Sequence, residues 1–220
     1  EEYSLQYHKI FDTTTTVGGN VVGGLYSAFG PLTDNDGQMA SDAPDGTSLM
    51  MISGLSVPGA TGNPLAMVTQ FEYKSLPPND GTSTGEFWSK LPAAMGLALL
   101  DQDARSGMLA ARSYTNIGMS GVQGGWIFCG STLSSWNTHV SSEEYEPDAK
   151  VRGGGAKAAD SDDGTDINSF SKYQFNNAAT ANPYHYGLVP EVTVDASGKA
   201  TVVKHYAPGR FAREMQIGAS

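Results

Sequence analysis

Between Gly124 and Asp148 the chain places its single cysteine, two of its three tryptophans and its densest group of carboxylates. Cys129 ends an apolar run, Trp126-Ile127-Phe128-Cys129, that reads as the end of a buried strand. A Gly/Ser/Thr turn is expected next, and Glu143, Glu144, Glu146 and Asp148 close the stretch. The chemistry such a set offers is metal ligation. A thiolate is a soft donor that suits iron or zinc, whereas carboxylate oxygens are hard donors that suit calcium or magnesium. A polynuclear site uses both. The same residues also read without any chemistry, the cysteine as a small buried hydrophobe and the acids as a solvated loop.

Spacing adds to residue type. Cys129-Gly-Ser-Thr-Leu-Ser-Ser-Trp136-Asn-Thr138-His-Val-Ser141-Ser-Glu143-Glu144 resembles the Cys-x-Gly-x-x-Thr-Pro-Trp-Gly-Thr-x-x-Ser-x-Glu-Glu signature of the PhoX-type alkaline phosphatases. Pro183-Tyr184-His185-Tyr186-Gly187 and Gly209-Arg210-Phe211-Ala212-Arg213-Glu214 look like the Pro-Tyr-x-Tyr-Gly and Gly-Arg-Phe-x-His-Glu segments of the same family, in the same order. The likeness covers the second half of the chain well and the first half weakly.

The resemblance implies a β-propeller and a metal-dependent phosphomonoesterase acting on a small phosphate ester. It implies Cys129 as a thiolate ligand to iron, with Glu143 or Glu144 and Glu214 as carboxylate ligands to iron or calcium. Neighbouring strand residues face opposite ways, so only one of the two glutamates is expected to point at the site, and Glu144 is taken as the ligand. Glu72, at the end of an apolar strand, matches more faintly an acidic residue near the family's site. Arg210 has the fork geometry to clamp a phosphate or to pair with a carboxylate. Trp136 and Thr138 read as shaping the turn. Three departures stand against catalysis: Arg213 replaces the usual histidine, Ser135 and Asn137 replace the Pro and Gly around Trp136, and no downstream carboxylates complete the cluster. His139 reads as a surface loop residue, and His8, His185 and His205 carry no signal.

The rest of the chain supplies the elements that would position these groups. Its 220 residues are enough for a real core, with 27 glycines and 16% charged residues, which suits a turn-rich β protein. A net charge of -10 argues against a nucleic-acid partner, because phosphate binding draws on an excess of lysine and arginine. No apolar run approaches the length that crosses a bilayer. One cysteine rules out an intrachain disulfide. A start at Glu1-Glu2-Tyr3 reads as a mature chain after export, although an artificial boundary explains it equally well.

Along the chain, the threonines and paired glycines before residue 30 predict short strand pieces, and residues 31 to 48 predict a turn-rich loop. Leu49–Ile52 and Leu65–Tyr73 predict strands. Residues 75 to 85 read as a surface loop. Leu97–Asp101 and Met108–Tyr114 predict a hairpin, against the helix propensity of Ala, Met and Leu. Residues 149 to 169 read as a mobile polar loop. Leu188–Asp195 and Ala200–Tyr206 predict a second hairpin. The expected fold is therefore all-β, a single propeller-like domain over residues 1–220 that is incomplete in this chain and carries long irregular loops. An incomplete propeller leaves a strand edge open to a second chain or to self-association. The alternative reading keeps the scaffold and drops the chemistry, as an extracellular calcium-binding assembly or binding protein.

Overall fold

Two antiparallel four-stranded meanders carry the architecture. The computed structural model describes residues 7–81, 91–147, 149, 167–215 and 217. The N-terminal segment forms three two-stranded ribbons: β1 (Thr16–Val17) with β2 (Asn20–Val21), β3 (Tyr26–Ser27) with β4 (Gly30–Pro31), and β5 (Thr33–Asp34) with β6 (Gly37–Gln38). The first meander follows as β7 (Pro44–Met50), β8 (Asn63–Phe71), β9 (Ala94–Gln102) and β10 (Leu109–Asn116). The second is β11 (Phe128–Leu133), β12 (His139–Glu143), β13 (Val189–Val194) and β14 (Ala200–His205). A helix, α1 (Ile167–Phe175), lies between β12 and β13 in sequence. The protein is thus mostly β, and among the described residues no sheet closes into a barrel.

Strand β9 shows why propensity loses to position. Its Ala-Met-Gly-Leu-Ala-Leu-Leu sequence favours a helix in isolation, yet β8 and β10 pair with it on both sides. Alternation then sends Met95, Leu97 and Leu99 into one core and Ala94, Ala98 and Leu100 into another. Burying a leucine in this way contributes about 1.5–3 kcal/mol, far more than the propensity it overrides. The first core joins the two meanders through Met50, Val68, Phe128, Val192 and Val194. The second packs Val22, Leu25 and Met39 of the N-terminal ribbons against the opposite face of the first sheet. A third gathers Trp126, Ile127, Tyr186 and Phe170 of α1.

Both predicted hairpins form, β9–β10 with a register shift between Ala111 and Ser113, and β13–β14. The turn expected straight after Cys129 does not. β11 runs on to Leu133, and the reversal falls at residues 134–138. There the Thr138 backbone N–H donates to Ser134 Oγ at 2.9 Å, and Asn137 takes the left-handed conformation at φ 64°. Residues 31 to 48 hold β5, β6 and the start of β7 rather than one continuous loop. Most of the polar stretch at 149–169 lies outside the described residues, and its end, 167–169, is the first turn of α1. Residues 82–85 of the predicted surface loop also lie outside them. No helix among the described residues is long and apolar enough to cross a membrane.

Candidate metal centre

The two meanders meet along β7 and β11, and Cys129 sits on that seam. The approach is close. A Cβ on Gly46 of β7 would stand 2.6 Å from the Ser131 backbone nitrogen, so a side chain there would part the strands. Cys129 itself is 4% exposed. Its Sγ lies 3.2 Å from Glu72 Oε1 and 3.0 Å from Glu144 Oε2. One donor atom each from Asp45, Glu72 and Cys129 falls within a mutual 4.8 Å, and so does one each from Cys129, Glu144 and Glu214. The thiol is therefore the floor of a bowl. Glu72 and Glu144 are half-buried around it, and Asp45 and Glu214 are exposed at its rim.

Backbone hydrogen bonds explain how residues so distant in sequence converge. Glu72 follows the end of β8, where its N–H donates to Ala43 O at 2.9 Å. Glu144 follows β12, and its N–H donates to Ile127 O at 3.0 Å. Glu214 is held by its own carbonyl, which accepts from Gly130 N at 2.7 Å and from Ser142 Oγ at 2.8 Å. A Cβ at Gly130 would come within 2.9 Å of that carbonyl, so glycine is what lets the C-terminal segment dock beside Cys129.

Beneath the bowl lies a polar column. His139 is fully buried, with Nδ1 2.9 Å from Ser48 Oγ and Nε2 2.9 Å from Gln70 Oε1. The Gln70 amide nitrogen donates to Gly130 O at 3.2 Å, which leaves Oε1 as an acceptor. His139 Nε2 therefore carries the ring proton, and Nδ1 accepts from Ser48. Burial pushes the His139 pKa down to about 4. The expected surface histidine is thus a neutral core residue that bridges the two sheets, and it faces away from ligand duty because both nitrogens are used.

The electrostatics of the bowl are one-sided. Burial raises the Glu72 pKa, and Asp45, Glu144 and Glu214 raise it further, against the thiol hydrogen bond that lowers it. Burial likewise pushes the Cys129 thiol up, and its bonds to Glu144 and Glu72 add to that. A thiol has one proton, yet two carboxylate oxygens stand within hydrogen-bond distance of this sulfur. The raised Glu72 pKa lets that carboxyl hold a proton of its own against the surrounding acids.

These contacts are hydrogen bonds, and the same spacing is one that donors shared by a metal ion would show. Sulfur and oxygen bound at about 2.3 and 2.1 Å and at a right angle to each other stand about 3.1 Å apart. The sulfur–oxygen distances of 3.0 and 3.2 Å bracket that value. The donor set of one thiol and several carboxylates joins a soft donor that suits iron or zinc to hard donors that suit calcium or magnesium.

Of the sequence-derived candidates, Cys129, Glu144 and Glu214 come together, and Glu72 joins them. Glu143 does not. It alternates to the other face of β12, where its carboxylate is fully buried and pairs with Lys204 at 2.7 Å. Arg210 does not point into the bowl as a phosphate clamp either. Its Nε donates to Pro183 O at 2.9 Å and its terminal nitrogen to Pro147 O. Arg213, in the place of the family's histidine, is 4% exposed and donates to the carbonyls of Gly187, Pro208, Gly209 and Phe211. Asp45 went unnoticed in the sequence, where Pro44-Asp45-Gly46 reads as turn chemistry. Only the β7–β11 contact brings it to the thiol. No protein-family model, curated protein or solved structure matches the chain, so the likeness to PhoX-type phosphatases rests on residues 129–144, 183–187 and 209–214 themselves.

Proposed function

We propose that the chain is an exported, metal-dependent phosphomonoesterase of PhoX type, with iron and calcium held in the bowl around Cys129. The observation that carries this reading is convergence. Cys129, Glu144 and Glu214 are separated by up to 85 residues, were singled out together by motif, and present their donor atoms within 4.8 Å of one another. A propeller fits the same picture. Four-stranded antiparallel meanders are the blades of such folds, and the first strands of the two meanders, β7 and β11, lie side by side.

In this reading Cys129 supplies the soft ligand, and Glu72, Glu144, Asp45 and Glu214 supply the oxygens. When bound, the metal would polarise a phosphoryl oxygen and make water a nucleophile at neutral pH. The chain's own part is to fix the donors on strand ends and to leave the rim open, so that a phosphate ester reaches the ions from solvent. The test is metal analysis of the purified protein together with turnover of p-nitrophenyl phosphate. Bound iron and calcium, with turnover that disappears in Cys129→Ala, supports the proposal. A protein that takes up neither metal contradicts it.

One observation favours the second reading, a calcium-binding binding or assembly protein without catalysis. Arg210, the cation best suited to grip a phosphate, spends donors on the carbonyls of Pro147 and Pro183. Metal uptake without turnover of any phosphomonoester selects this reading.

A further inference from the structure

Glu143 and Lys204 form a buried ion pair that the proposed chemistry does not use. Both side chains are within 2% of complete burial. Glu143 Oε1 accepts from Trp126 N at 3.0 Å as well as from Lys204, and Oε2 accepts from Leu188 N at 3.0 Å. Its backbone carbonyl accepts from Arg213 N at 3.1 Å. Lys204 Nζ also donates to His185 O at 3.0 Å and lies 4.8 Å from the centre of the Tyr186 ring.

The bonded positions stand next to the ligands. Trp126 precedes Cys129 by three residues, Glu143 precedes Glu144 by one, and Arg213 precedes Glu214 by one. We propose that Glu143, neutralised by Lys204, is a positioning residue of the metal centre, its carboxylate registering the Cys129 segment through Trp126 N against the Glu144 segment, while the Glu214 segment is held separately by backbone carbonyls. This rests on the metal reading above. Asp45 and Glu72 belong to the first meander and share none of these bonds, so the dependence is confined to one half of the bowl. Two peptide N–H groups and an ammonium converge on this carboxylate, and only two acceptor oxygens satisfy all three. Glutamine keeps the shape but offers one acceptor, with an NH₂ facing a donor. Apolar residues of equal volume often replace an interior ion pair without loss of stability, so the contribution assigned to this pair is position.

The test uses Co²⁺ alone, titrated into the full chain and followed by the thiolate-to-cobalt charge-transfer absorption that reports the Cys129 bond. Wild type shows the band, and Cys129→Ala lacks it. Glu143→Gln is expected to weaken Co²⁺ binding by about 10- to 100-fold, the usual cost of losing a group that orients ligands, and to alter the band. The double variant Glu143→Gln/Lys204→Met leaves no buried ion unpaired and serves if the single variant fails to fold. It is expected to recover thermal stability while Co²⁺ binding stays weak. Recovery of affinity in step with stability, or unchanged affinity and band in either variant, overturns the inference while leaving the metal reading intact. Absence of any cobalt band in wild type overturns both.

Discussion

Strand β12 ends in Glu143, and Glu144 follows it; the two adjacent glutamates live in opposite electrostatic worlds. Glu143 points into the protein and is supplied there with an ammonium and two peptide N–H groups. Glu144 points to the seam between the meanders and meets a thiol, with Glu214 alongside. On the first side the chain provides its own counter-charge. On the second it gathers acids, and the strongest charges acting on Glu72 there are all negative. A buried charge here is matched by the chain itself, whereas the acids around Cys129 are left for solvent, protons or a bound cation to balance. The His139 column, with both ring nitrogens bonded and the ring neutral, belongs with the matched side.

The comparison breaks most visibly at Lys204. Lys204→Met leaves Glu143 buried without its cation and is expected to destabilise the fold by about 3–5 kcal/mol in chemical denaturation. A change below about 1 kcal/mol, the scale of an exposed pair, would place Glu143 in contact with water instead.

Acid titration probes the same side through His139. Its folded pKa is depressed to about 4 from the ordinary 6.5, so the unfolded chain binds the proton first as pH falls. The stabilising contribution is full above pH 6.5 and is lost as pH drops toward 4, on the order of 3 kcal/mol over that window. Denaturation curves of His139→Gln against pH should lack that slope.

The unmatched side answers to added cation. Calcium at 100 times its dissociation constant is expected to raise stability by about 2.7 kcal/mol, and Glu144→Gln should abolish most of that gain. Thermal melts with and without chelator measure it. The smallest effect is at Glu72, whose pKa is raised in the folded protein. The ionised form is the strained one, so without metal, stability falls as pH rises from the ordinary carboxyl value through the raised one. Glu72→Gln in chelator should therefore gain up to about 1 kcal/mol at neutral pH, a sign opposite to that of Lys204→Met.

Much of this was legible in the sequence, and the rest was hidden for identifiable reasons. Period-two alternation showed β13 and β14, whereas β8 was legible as an apolar run and β9 and β10 as two apolar runs across a turn, because β8 and β9 are buried on both faces. The same rule said that only one of Glu143 and Glu144 could face the thiol. The turn read at Gly130-Ser131-Thr132 was misplaced because Gly130 is needed for the approach of Glu214, not for reversing the chain. Helix α1 gave no warning: Asn168, Ser169, Ser171, Lys172 and Gln174 surround the apolar Ile167 and Phe170, too thin a stripe to read as helical. His139 looked like a loop residue because its partners, Ser48 and Gln70, come from another sheet. Asp45 is the harder case, since no local spacing announces a carboxylate delivered by the packing of one strand against another.

Equilibrium dialysis of the intact protein against calcium and ferrous iron, followed by elemental analysis, tests the central claim most directly. The account predicts bound metal in wild type and its loss in Cys129→Ala/Glu144→Gln, with the secondary structure of both proteins unchanged. A folded wild-type protein that retains neither ion would mean that the acids around Cys129 are balanced by protons and water alone, and the metal centre would be refuted.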